Sequence, residues 1–415
     1  MARQMSEWRS GWKTVASATV GIMFMTGIPS VTGVVIAPLV EEFGWPRALI
    51  TANVFIGATM SLLLAPLLGR MVVRYGARRC ALIAIGAALP GLMMIAMTGG
   101  SIWTWIGAWL VFAVIQVGIS PMVWMGAVAG LFDRSRGMAL AITFSGSGIA
   151  FFLFPPLAVL MLSHYGWRGV YVGIMALMLV ILLPIVVLWF RDVHSVNLAG
   201  TGESRSKVAL AGFRLRQAVK MRHFWQFVAV STLMALAEGS LQVHLFPILN
   251  EGGLPPAEAA WTTGLMGISM IGGRLATGWL FDHTLPIPVF GVSILLILAS
   301  CLLATVYTGS AFLGAMVSFC LGFGAGGTTN ALAYLTSRYF GLADYPAIFG
   351  LLMGTFSLGY GISPVVAGLL RENTGSYASI YPLLIATLTL AAMLAVTLGK
   401  PSDGVIKVHP LANSA

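Results

Sequence analysis

The sequence predicts an all-α membrane protein, with twelve transmembrane helices in two parallel, pseudo-symmetric six-helix bundles. Three observations lead there. First, the 415 residues are 58% hydrophobic and only 9% charged, with a mean hydropathy of +0.91. A typical soluble domain is about 25% charged, and so few charges could not cover this much apolar surface in water. Second, apolar runs of roughly 20 residues recur along the chain, each long enough to cross a bilayer as a helix. The apolar/polar alternation of a membrane barrel strand is absent. Third, landmarks in the two halves coincide at a single offset.

The spans fall at 13–38, 47–68, 79–98, 102–130, 137–162, 167–190, 223–249, 258–281, 286–306, 310–335, 346–370 and 378–399. Span one follows the head MARQMSEWRSGWK. It is too long for a signal-peptide core and lacks a convincing cleavage site, so it is read as a span. Span two ends in the basic turn GRMVVRYGARR (69–79). Trp12, Trp45, Trp103, Trp167, Trp189 and Trp225 lie near span ends, where interfacial anchors are expected. Span four carries Gln116 and Trp124. Span five contains SGSGIAFFLFPPL (145–157), a small-residue packing stretch with a kinking proline pair. Spans seven and eight carry the deep charges discussed below. Span ten includes GAGGTTN (324–330), and span eleven includes Tyr360.

Shifting the chain by 209 residues superposes Pro38 on Pro247 and Glu42, Gly44 and Pro46 on Glu251, Gly253 and Pro255. Gly69 then meets Gly278, Gly118 meets Gly327, Pro155 meets Pro364 and Gly166 meets Gly375. An even number of spans per repeat makes the halves parallel, related by an axis along the membrane normal. The expected organisation is an N-terminal bundle over 1–190, a cytoplasmic linker over 191–222, and a C-terminal bundle with a short tail over 223–415. Within the linker, FRLRQAVKMRHFW (213–225) could form a basic helix on the inner leaflet, although a solvated basic loop fits the composition as well.

The net charge of +10 is a matter of placement. With both termini inside, nineteen of the 23 Lys and Arg fall on the cytoplasmic side, and the outer loops hold Arg47, Arg168 and Arg371. This is the positive-inside asymmetry, so the basic excess orients the chain and does not call for nucleic acid. Cys80, Cys301 and Cys320 all lie in apolar spans, with no disulfide framework or metal spacing. No phosphate-binding loop, zinc motif or nucleophile elbow is present. Neither an enzyme, a metal nor a cofactor is expected.

At this point the chain resembles the major facilitator superfamily over nearly its whole length. GRMVVRYGARR is similar to that family's cytoplasmic latch signature, matching at Gly69, Arg74, Gly76, Arg78 and Arg79, with Val73 in the acidic place. The second-half counterpart GWLFDH (278–283) keeps its acid as Asp282 and has His283 for the usual arginine. The stretches EFGWPRA (42–48), LFDRSRGMALAITFSGSG (131–148), YGWRGVY (165–171), GRLATGWLFD (273–282) and AYLTSRYFG (333–341) are similar to the monocarboxylate-porter and oxalate/formate-antiporter branch. In that branch an arginine of span eight binds the substrate carboxylate, and Arg274 falls on it. The resemblance also implies that spans one, four, seven and ten line the path, which favours Gln116 and Asn330. The chain departs from some relatives at Met270, at Ser30 and in GAGGTTN, where those relatives carry charged residues.

Deep in the spans stand two charged residues, Glu238 and Arg274. A charge at the bilayer centre costs at least about 2.5–3.5 kcal/mol on insertion scales, so it persists where it faces a cavity or a partner. A guanidinium suits a carboxylate because its planar fork donates two parallel hydrogen bonds and stays charged. The structural alternative for Arg274 is a cation that snorkels towards the inner side. Glu238 has three readings: neutralising Arg274, carrying a coupling proton, or touching a polar substrate group. Gln242 shares its helix face, and His244 lies on another side. Asn53, Gln116, Asn330 and Tyr360 are further polar candidates, each of which could equally be a helix-packing hydrogen bond.

The expectation is a secondary active transporter of a small organic anion, a monocarboxylate, working by alternating access with proton coupling open. Arg274, Asn330, Gln116, Tyr360 and Asn53 would bind substrate, Glu238 and His244 would couple or balance charge, and Gly69, Arg74, Arg78 and Asp282 would form the latch. The expected partners are the carboxylate, protons and lipid, with the chain a monomer in a cytoplasmic membrane of the bacterial type. Export of amphipathic or cationic compounds through Glu238 is the alternative carrier reading; a non-transporting membrane sensor is the alternative of another class.

Overall fold

The computed structural model describes residues 2–132, 135–192, 212–283, 286–341 and 344–398. Nearly all of them are helical. Ten helical stretches are long and apolar enough to cross a bilayer. One of these, Met138–Trp189, is two spans, because Gly166 (φ 67°, ψ −177°) breaks it at a turn. The helix Pro256–His283 is long enough but is not among the ten. It carries Arg274 and several glycines and polar residues, and these lower its hydropathy. With it, the twelve spans stand in the expected order.

Span one is Ala2–Ser30 continued by Thr32–Phe43, with a turn residue at Val31. Span two is Arg47–Tyr75 and span three Ala77–Ala96. Span four is split into Ile102–Val117 and Pro121–Leu131. Spans five and six lie either side of Gly166, and six ends with a π-helical turn, Met178–Leu182, and Leu183–Trp189. Spans seven to twelve are Arg222–Glu251, Pro256–His283, Pro286–Thr305, Ala311–Phe340, Tyr345–Thr374 and Tyr381–Val396. The residues 213–225 do not form one basic helix: a single turn, Leu215–Ala218, is followed by a break before span seven. Most of the expected linker, residues 193–211, lies outside the described residues.

The repeat is written into the turns. At the face away from the basic termini, each half makes three turns through a glycine of positive φ. Gly44, Gly100 and Gly166 in the first half (65°, 73° and 67°) answer Gly253, Gly309 and Gly375 in the second (116°, 87° and 75°). Each pair is 209 residues apart. An L side chain rarely adopts such a conformation, so the same turn in both halves asks for the same residue. The pair Gly100 and Gly309 adds a third such turn to the two legible in the sequence.

The halves meet along three seams: span five on span eight, span two on span eleven, and the Thr32–Phe43 segment of span one on span seven. At the first seam Gly148 and Gly267 cross so closely that a Cβ on either would collide with the other's carbonyl oxygen. The far face is pinned across the halves. Arg47 Nη1 pairs with Glu251 Oε1 at 3.0 Å, and Arg371 Nη2 holds Glu251 Oε2 at 3.0 Å. Arg47 also donates to the Tyr377 hydroxyl at 3.3 Å, and the Ala48 amide donates to Glu372 at 3.2 Å.

Two anchor tryptophans have another role. Trp45 and Trp167 are buried, not interfacial, and join Phe43, Trp105, Trp109 and Tyr171 in an aromatic cluster under the far face. Glu42 caps it, accepting from Trp167 Nε1 at 2.6 Å and from Arg168 at 2.8 Å.

Candidate functional site

A cavity of about 400 Å³ lies between the halves, lined from spans one, two, four and five on one side and seven, eight, ten and eleven on the other. Two of these spans lose helical regularity beside it. Span one breaks after Ser30, and span four breaks over Gly118–Ser120, with Ser30, Ser120 and Pro121 on the wall. Non-helical backbone at membrane depth is tolerated where it is covered by protein or lines a wet cavity. Trp124 Nε1 donates to the Ile119 carbonyl at 2.7 Å, satisfying one group that the span-four break frees. Gln116, at the same break, donates to the Met25 carbonyl at 3.2 Å and so ties span four to span one at the wall.

Arg274 reaches this cavity from span eight and is buried. Its guanidinium is divided in use. Nη1 donates to the Phe144 carbonyl at 2.6 Å and to Ser147 Oγ at 2.7 Å, both on span five of the other half. The group lies 4.9 Å from the Phe144 ring centroid. The opposite edge is almost unused: Nη2 meets only the Met270 sulfur, at 3.4 Å, and Nε has no hydrogen-bond partner. A thioether sulfur is a weak acceptor, and an unmatched buried donor costs about 1–3 kcal/mol, more when charged. The arginine is thus held by one corner, and no oxygen accepts from its Nε–Nη2 edge, whose Nε is buried. A carboxylate is the group whose geometry matches that edge.

Glu238 lines the same cavity from span seven, with Oε1 buried and without a hydrogen-bond partner. No ion pair within 4.0 Å joins it to Arg274 among the described residues, so the two charges act on each other through space and not through a hydrogen-bonded pair. Gln242, one turn further along the same face, accepts from the Tyr360 hydroxyl at 3.1 Å, and both residues line the cavity. Asn53 lines it too, but its polar atoms are committed to Thr32 Oγ1 and to the Val54 amide, each at 2.9 Å.

Two expected site residues are elsewhere. Asn330 does not line the cavity. It donates to the Arg274 carbonyl at 2.8 Å and to Thr277 Oγ1 at 3.4 Å, bracing the helix that carries the arginine. His244 is fully buried behind the wall, where Nε2 meets the Pro364 carbonyl and Nδ1 the Tyr377 hydroxyl, both at 3.0 Å. A carbonyl only accepts, so in the neutral ring Nε2 carries the hydrogen and Nδ1 accepts from Tyr377. His244 therefore supports the far-face residue that also accepts from Arg47, and it has no path to the cavity through these bonds.

On the basic face, the Arg78 amide donates to Asp192 Oδ2 at 3.1 Å and its Nη2 to the Val187 carbonyl at 2.6 Å. Asp192, just past span six, is buried and serves this turn as an acid from outside it, which sequence reasoning missed. Arg74 lies over the Tyr75 ring at 5.2 Å, and a Cβ on Gly69 would only just reach the Met122 sulfur. The side chain of Asp282 lies outside the described residues.

Residues 15–345 match the family model of the Major Facilitator Superfamily, and the chain belongs to that family of membrane transporters. It is 25% identical over 406 residues to monocarboxylate transporter 13 of Bos taurus, covering 94% of this chain and 89% of that one. It is also 25% identical over 396 residues to monocarboxylate transporter 11 of Mus musculus, covering 89% and 83%. Among solved structures, a point mutant of the nucleoside transporter NupG superposes with a TM-score of 0.74 over 94% of this chain and all of the other. At 13% identity that likeness is one of fold. The chain is therefore an all-α integral membrane transporter, similar to the monocarboxylate porters.

Proposed function

We propose that this chain carries an organic monocarboxylate across the membrane by alternating access. The observation that carries the proposal is the half-used guanidinium of Arg274, whose Nε has no partner while Nη1 is fixed to Phe144 and Ser147. A substrate carboxylate on the Nε–Nη2 edge would satisfy that donor and replace a sulfur contact with an oxygen. Because Nη1 belongs to the seam between spans five and eight, the cation would touch substrate and opposite half at once. Binding at that point would bias the packing of the halves, as a carrier requires. Residues 1–190 and 223–415 would be the two bodies that rock. The pinned far face would be the outer gate of an inward-facing state, with the basic face in the cytoplasm. Glu238 would balance the arginine when the site is empty and take up the coupling proton.

The relatives' names support a carboxylate as the substrate class. A second reading follows from the unmatched Glu238 oxygen: recognition of a cationic or amphipathic compound by that acid. Flux of labelled carboxylate in liposomes separates the two. Each lost charge-assisted hydrogen bond is worth about 1.5–3 kcal/mol. Arg274→Ala should therefore lower kcat/KM by about a hundredfold or more. Arg274→Lys, which keeps charge but not the fork, should lower it by roughly tenfold. Wild-type kinetics in both variants, or stabilisation of the protein by cations and by no carboxylate, would refute the assignment.

A further inference from the structure

The cavity is larger and more apolar than a short acid needs. Its volume of about 400 Å³ falls in the range, roughly 300–1,000 Å³, that encloses drug-sized ligands. Arg274 marks one end. Counted from the far-face starts of their helices, Pro256 and Ile102, Arg274 is eighteen residues deep and Trp109 seven. At 1.5 Å per residue the two differ in depth by about 16 Å. Rings line the wall at several levels: Phe144 and Phe356 near the level of Arg274, and Phe151, Tyr360 and Trp109 nearer the far face, with Phe356 and Tyr360 stacked at 6.4 Å between centroids. The polar groups at mid-depth are Gln116, Glu238, Gln242 and Tyr360, and of these Glu238 keeps an oxygen without a partner. The Tyr360 hydroxyl is spent on Gln242, and Gln116 on the Met25 carbonyl.

A cation at one end and an aromatic channel beyond it select for a molecule built the same way. From the unused Nε–Nη2 edge and the ring-lined space beyond it, we infer that the substrate is an elongated amphipathic monocarboxylate bearing an aromatic ring, not a two- or three-carbon acid. The carboxylate meets Arg274, and the ring lies along the aromatic wall in offset or edge-to-face contact. A short acid would satisfy the arginine and leave most of the channel to water, wasting the apolar wall as a source of affinity. The inference rests on the carboxylate reading above, and adds what the carboxylate is attached to.

The test is uptake by purified protein in liposomes, with 3-phenylpropionate measured against acetate and lactate. The expected result is a KM for 3-phenylpropionate at least tenfold below that for either short acid. Phe356→Ala should cost the ring-bearing acid at least fivefold more in kcat/KM than it costs lactate. Phe356 is only half-buried, so this variant should fold where Trp109→Ala, inside the aromatic cluster, could fail. Short acids carried as well as or better than 3-phenylpropionate would overturn the inference and leave the carboxylate reading standing. Equal losses for both acids in Phe356→Ala would also overturn it. Transport of other solutes with no carboxylate carried at all would overturn both.

Discussion

Replacing Glu251 with glutamine removes the charge that joins Arg47 and Arg371 on the far face. Its two oxygens are held separately, Oε1 by Arg47 of the first half and Oε2 by Arg371 of its own half. Only the Arg47 pair crosses between halves. The paired side chains are partly open to solvent, at 17% for Arg47 and 34% for Glu251, so the surface range of about 0.2–1 kcal/mol applies. The bonds from Arg47 to Tyr377 and from Ala48 to Glu372 survive the change. Taking the upper part of that range, because one carboxylate serves two guanidinium groups, the far-closed state should lose about 0.5–1 kcal/mol. That raises the ratio of far-open to far-closed molecules by roughly two- to fivefold. Electron–electron distance measurement can read it, with spin labels at Tyr165 and Phe312, two highly exposed far-face positions in opposite halves. The buried Cys80, Cys301 and Cys320 would be replaced by alanine. The long-distance population should grow two- to fivefold in Glu251→Gln. High salt should move the wild type the same way and the variant less. Identical distributions in the two proteins at low and high salt would refute the reasoning.

Two further outcomes follow. If Glu238 takes the coupling proton, a gradient of one pH unit should drive roughly tenfold accumulation by the wild type, since about 1.4 kcal/mol is a tenfold ratio; Glu238→Gln should exchange substrate across the membrane but accumulate none, and undiminished accumulation would remove Glu238 from coupling. Gly267→Val should place its side chain against the Gly148 carbonyl, open the seam between spans five and eight, and destabilise the protein by about 1–3 kcal/mol; unchanged thermal unfolding and unchanged flux in that variant would contradict so close a crossing.

Much of the architecture is legible in the sequence, because lipid imposes a simple rule: each crossing must be a long apolar helix with its backbone satisfied. The apolar runs therefore located the spans, and the duplicated glycines located the turns, since positive φ leaves few other choices. Span eight was the difficult case. It is less apolar than its neighbours because it carries the arginine, so the feature that flags function also weakens the signal for a span. Of the site, Arg274, Glu238, Gln116, Asn53 and Tyr360 could be picked out as polar residues in apolar surroundings, and all five line one cavity. What each one bonds to could not be read. Phe144 and Ser147 lie more than 120 positions from Arg274, and a backbone carbonyl leaves no mark in the sequence. Asn330 and His244 lie elsewhere for the same reason: helix position is legible in the sequence, but which neighbour absorbs the hydrogen bonds is not. Asp192 was hidden because its partner turn belongs to another pair of spans. The far-face cluster of Arg47, Glu251 and Arg371 is present in the sequence as scattered loop charges, and only tertiary packing gathers them.

The central claim concerns one edge of one side chain, and a structure of the protein with 3-phenylpropionate or another transported carboxylate bound tests it most directly. The account predicts the two carboxylate oxygens within hydrogen-bond distance of Arg274 Nε and Nη2, with Nη1 still on Phe144 and Ser147. A carboxylate seated elsewhere in the cavity, with Arg274 Nε unpaired as before, would contradict it.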